Sequence, residues 1–72
     1  IKFRLGDYVA AVQYLEKAYR VRPEADIAAH LGEALWMLGQ RDAAKEAWKK
    51  GVAKEADNAT LLETLKRLGV RL

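Results

Sequence analysis

The chain has 72 residues, is 51% hydrophobic and 32% charged, and carries a formal net charge of +3, which bounds it to one small domain with a thin core. It contains neither Cys nor Ser and only one His, which removes disulfides, thiolate metal sites and the usual nucleophiles. No apolar run approaches the roughly 20 residues needed to span a bilayer, and the plentiful, periodic apolar residues argue against disorder.

Residues 1–5 read as the last turn of a helix, with Gly6 in the left-handed position that ends it. Because the chain starts at Ile1 inside such a turn, it is expected to be a fragment of a longer protein, whose upstream part would carry any signal or lipid anchor. Asp7 then opens a helix over 7–22, whose apolar residues Tyr8, Ala11, Val12, Leu15, Ala18 and Tyr19 step by three and four. Pro23 stops it, since proline disfavours helix in the residue before it. A helix over 25–38 follows, with Asp26 near the positive end of its dipole, and Gly39 ends it. The next runs over 41–55 with Ala44, Ala47, Trp48, Gly51 and Val52 on one side. Asp57 or Asn58 caps a last helix over 58–68 that carries Leu61, Leu62, Leu65 and Leu68. No strand pattern appears, and turns of a few residues make neighbouring helices antiparallel.

These segments repeat. Leu5-Gly6 followed by Ala10-Ala11 recurs as Leu38-Gly39 followed by Ala43-Ala44, an offset of 33 residues, and Leu15 and Trp48 fall on the same offset. A period of that size marks a stacked helical array, in which extended surfaces replace closed catalytic clefts. Leu31-Gly32, Gly39, Ala44, Trp48 and Gly51, preceded by Gly6, Tyr8, Ala11, Leu15, Ala18 and Pro23, resemble the tetratricopeptide repeat (TPR) family. The resemblance covers essentially the whole chain. It implies an all-α fold of antiparallel helix pairs, called A and B, stacked as a right-handed superhelix. Residues 1–5 and 7–22 would then be the end of an A helix and a B helix, 25–38 and 41–55 a complete A–B pair, and 58–68 a capping helix. Ala28, Arg41, Gly51 and Ala56 depart from the family pattern without breaking the helix pairs. The stretch Ala28 to Trp48 and the Leu-rich ending also look like the C-terminal end of larger bacterial TPR proteins, some of them outer-membrane-attached adaptors. The compartment stays open between bacterial cytoplasm and an envelope site reached through upstream sequence.

A wheel at about 100° per residue places Ile27, Ala28, Leu31, Ala34, Leu35 and Leu38 on the core side of the third segment. Trp36 lies nearly opposite, with Asp26, Ala29, His30, Glu33 and Met37 beside it. In the TPR family the A helices line the concave groove, so the resemblance implies Asp26, Ala29, His30, Glu33, Trp36 and Met37 as protein-binding candidates. Aromatics and Met are enriched where partners bind. Trp36 and Met37 equally fit as packing between repeats, and both roles stay open. Some members grip a terminal carboxylate with a Lys/Asn/Arg clamp; the matching positions hold Ala29, His30 and Glu33, and Glu33 would repel a carboxylate. Trp48 is expected between helices, against Ala44 and the last helix.

The expected function is a non-enzymatic scaffold that takes a peptide or protein segment in the groove, without cofactor or metal. The alternative is self-association as a homodimer through an incompletely covered N-terminal helix, with Phe3, Tyr8, Leu15 and Tyr19 short of cover. Lone His30 lacks a partner ligand set. Glu16 with Arg20 and Glu46 with Lys50 read as i,i+4 surface pairs, and this interleaving of charge argues against a nucleic-acid face. Neither a small-molecule substrate nor membrane insertion by this segment is expected.

Overall fold

A computed structural model describes residues 5–72. It contains four helices, α1 (Leu5–Val21), α2 (Ala25–Met37), α3 (Arg41–Lys54) and α4 (Ala59–Leu68), with no strand among the described residues. The expected remnant over 1–5 lies outside those residues except for Leu5. Leu5 and Gly6 already belong to α1, so Gly6 sits in a first helical turn instead of ending a helix. Glycine is tolerated at a helix start as well as beyond its end, so a Leu-Gly pair alone does not fix which end it marks.

Each turn has a local cause. Val21 is the last residue of α1, and Glu24, just past Pro23, is extended at φ −89° and ψ 147°. After α2, Gly39 adopts φ +84°, open to glycine and strained for other residues. Its N–H donates to the Trp36 carbonyl at 3.0 Å, and the Gln40 N–H donates to the Leu35 carbonyl at 3.0 Å. This pair of bonds satisfies two end-of-helix carbonyls and turns the chain back. Ahead of α4, the Asn58 side-chain oxygen accepts from the Leu61 N–H at 2.9 Å, a side-chain cap on an otherwise orphaned donor.

Helix α2 is the hub. It packs on α1, α3 and α4, whereas the backbone of α1 neighbours α2 alone. Short turns set α2 antiparallel to α1 and α3. Two ties orient α4: Asn58 Nδ2 donates to Asp26 Oδ1 at 2.6 Å near the starts of the two helices, and Arg67 pairs with Glu33 further along both. Helix α4 therefore runs parallel to α2.

The core gathers where α2, α3 and α4 meet. Trp48 and Leu61 are its largest fully buried side chains, with Ala29, Leu31, Leu35, Ala44 and Ala47 around them. Burying an indole of roughly 150–250 Å² contributes about 4–6 kcal/mol gross. The ring reaches that depth because Gly32 has no side chain: a Cβ there would lie 2.2 Å from Trp48 Nε1. Trp48 Nε1 also donates to the Ala29 carbonyl at 3.2 Å, so the buried polar atom is satisfied. On the next turn a Cβ on Gly51 would meet Ala28 Cβ at 3.0 Å and Leu61 Cδ2 at 3.1 Å. The small residues thus set how closely the helices approach.

Candidate protein-binding surface

Three neighbours bury most of the circumference of α2. Ala25, Ala28, Ala29, Leu31, Gly32, Ala34 and Leu35 are all buried. What remains open is a stripe at spacings of four, three and four: Asp26, His30, Glu33 and Met37. Asp26, His30 and Met37 are exposed, and Glu33 is half-buried. The helical repeat aligns these four on one side, between α1 and α4. The wall toward α1 is a shallow cleft where Tyr8, Ala11 and Leu15 meet His30, Glu33 and Ala34. The wall toward α4 is formed by the Glu33–Arg67 pair and the Asn58–Asp26 bond.

Two of the six residues singled out from the sequence do not belong to this stripe. Ala29 is fully buried and its carbonyl accepts from Trp48, so it offers nothing to a partner. Trp36 is half-buried against the core; its ring centroid is 5.6 Å from that of Trp48 at 41°, and the Arg41 guanidinium carbon lies 4.3 Å over its face. Such a tilted pair with a cation above it is a packing arrangement. The wheel placed both residues beside the open arc, but Trp48 and Arg41 of α3 lie against that flank. Glu33, expected to repel carboxylates, has its charge offset by Arg67. Glu46 reaches Lys49 at 3.9 Å, not Lys50, and both side chains are exposed, so the pair contributes little.

The remaining surface is chemically plain. Among the described residues no group of three or more His, Cys, Asp or Glu side chains is placed to hold a metal ion. Among the same residues no helix is long and apolar enough to cross a membrane.

Helices of about three to five turns, joined by tight turns, with α4 running parallel to α2, two before it, are the geometry of a stacked helix-pair repeat. The sequence model of the tetratricopeptide repeat matches residues 2–68. The chain belongs to the tetratricopeptide repeat family. No curated protein and no solved structure gives a significant match. Membership makes this TPR chain a protein-interaction scaffold in general terms.

The TPR chain also has surfaces that sequence reasoning passed over. Val12, Glu16 and Tyr19 of α1 face Ala43, Glu46 and Ala47 of α3 across a cleft of about 430 Å³ floored by Ala28, Leu31 and Leu35 of α2. On α1 the most exposed apolar side chains are Tyr14 at 69% and Val21 at 81%, whereas Tyr8, Leu15 and Tyr19 are half-buried. Of the residues expected to be short of cover, those three are therefore better covered than Tyr14, and Phe3 lies outside the described residues. The signal that would have found Tyr14 is the 33-residue offset, because it matches Ala47, a buried residue of α3.

Proposed function

We propose that this TPR unit binds an extended peptide or protein segment along the open stripe of α2 and the adjacent wall of α4. The observation that carries the reading is the stripe itself. It is the one part of the hub helix left uncovered by α1, α3 and α4, and it presents an apolar end at Met37, 45% exposed, and a polar start at Asp26 and His30. Met adapts to different partner side chains. Of the charged groups along the stripe, Glu33 is paired with Arg67, while Asp26 takes only a neutral amide from Asn58. The local balance is negative, which favours neutral or basic segments and disfavours a free carboxylate. In this reading α2 and α3 form one A–B pair, α4 is the following A-type helix, and no catalytic role is assigned.

The test is selection of peptides from a displayed random library on the immobilised chain, followed by titration of the selected peptides against His30→Glu with Met37→Glu. Both residues are exposed, so circular dichroism should be unchanged. Loss of binding from the folded variant is the expected result. Retained binding places the peptide elsewhere and overturns the proposal.

A further inference from the structure

A second opening lies nearly opposite the peptide stripe. Ala28, Leu31 and Leu35 follow one another at spacings of three and four, and at about 100° per residue they fall across α2 from Asp26, His30, Glu33 and Met37. They floor the cleft of about 430 Å³ between α1 and α3. Both outer helices run antiparallel to α2, so they are parallel to each other and the cleft is a trough with two ends. Val12 and Ala43 stand toward its Leu35 end, Tyr19 and Lys50 toward its Ala28 end, and Glu16 and Glu46 between them on facing walls. The opening does not depend on what precedes α1. By the 33-residue equivalence a preceding helix takes the side of Ala11, Tyr14 and Ala18, whereas Val12, Glu16 and Tyr19 turn to α3.

We infer that this trough is a second protein-binding site, which takes one aromatic side chain of a partner segment with an Arg or Lys beside it. The aromatic part follows from what the α3 wall lacks. Ala43 and Ala47 give it only methyl groups, and Ala47 stands where the equivalent position of α1 has Tyr14. A ring laid between Val12 and Ala47 supplies the missing bulk over Leu31 and Leu35, and Tyr19 adds an aromatic neighbour on the α1 wall. The basic part follows from the charges. Glu16 is exposed and forms no ion pair among the described residues. Glu46 is held by Lys49 at 3.9 Å between exposed groups, a contact readily exchanged. Two carboxylates thus flank the middle of the trough, and a cation placed between them is attracted by both. Lys50 stands at the Ala28 end, so the partner's cation is drawn to the middle. An apolar floor for an anchor, with a few charges at the rim, is the usual make-up of a protein-binding spot.

The probe is a short capped peptide with one Phe-Arg pair among Gly and Ser. Titrated to about 5 mM against the isotope-labelled chain and followed by amide chemical shifts, it reveals a contact with a dissociation constant of about 1 mM or tighter. Saturable shifts at Val12, Glu16, Tyr19, Ala43 and Ala47, with His30 and Met37 unmoved, are the expected result. Ala in place of the peptide's Phe should weaken binding about ten-fold or more, as the loss of an anchor does. Glu in place of its Arg should weaken it a few-fold; Glu16→Lys should weaken the Arg peptide and recover the Glu peptide. Ala43→Trp puts an indole of the chain's own into the trough from an exposed position, so it should abolish binding with circular dichroism unchanged. No saturable shift, shifts centred on His30 and Met37, or undiminished binding to folded Ala43→Trp each overturns the inference. Binding of the Arg peptide that is indifferent to Glu16→Lys overturns the role of the carboxylates.

Discussion

Gly32→Ala isolates the contact on which the core depends. The new Cβ would stand 2.2 Å from Trp48 Nε1 and 2.5 Å from Cδ1 and Cε2. A relaxed carbon contact is roughly 3.5 Å, so the indole must retreat by about 1 Å. Trp48 is fully buried among Ala29, Leu31, Leu35, Ala44, Ala47 and Leu61, so its retreat presses on packed neighbours. Overpacking of this kind costs about 1–3 kcal/mol. The shift also stretches the 3.2 Å bond to the Ala29 carbonyl, worth about 1 kcal/mol. Against this, alanine in a helix is favoured over glycine by about 1 kcal/mol. The net expectation is a loss of about 1–3 kcal/mol, a large part of the stability of a small domain. Urea denaturation followed by circular dichroism measures it. The decisive arm is the same substitution in a Trp48→Leu background. With the ring gone, the helix preference alone remains, and Gly32→Ala should change sign and stabilise. Equal cost in both backgrounds, or stabilisation of the parent chain, would refute the account.

Asn58→Ala removes both the cap on the Leu61 N–H and the 2.6 Å bond to Asp26, and should cost about 1–2 kcal/mol. Asp26→Ala should cost less, since it leaves the cap in place; denaturation of the single and double variants separates the two contributions. Gly39→Ala meets no atom within 4 Å and should lose about 1 kcal/mol through its positive φ alone. Gly39→Asn should lose less, because asparagine enters that conformation more easily. Equal losses on thermal denaturation would mean that backbone conformation is not the cause.

The helices themselves were legible because their apolar spacing is regular and because Pro23 and Gly39 leave the chain few alternatives. Trp48 was legible too: a large apolar residue among Ala44, Ala47 and Gly51 on a helix with charged residues elsewhere has one side to bury. Placement around α2 was harder. A wheel reports one preferred side, and α2 has three neighbours, so its true open arc is narrower than the arc drawn from hydrophobicity. Asp26, His30, Glu33 and Met37 lie on the open arc, whereas Ala29 is buried and Trp36 is half-buried beside Trp48. Small residues carry little directional signal on a wheel; Ala29 became placeable only once α4 and the Trp48 hydrogen bond were known. The opposite error arose on α1, where two adjacent stripes blurred into one broad apolar side and hid Tyr14.

The hub arrangement also divides the molecule optically. All three tyrosines, Tyr8, Tyr14 and Tyr19, belong to α1, and both tryptophans, Trp36 and Trp48, belong to α2 and α3. Because α1 adjoins α2 alone, it can detach while the indole pair stays packed and unaware of the event. Tyrosine absorbance then times the departure of one helix, and tryptophan emission times the dissolution of the other three. The chain carries, without labels, a separate chromophore for each half of its own unfolding.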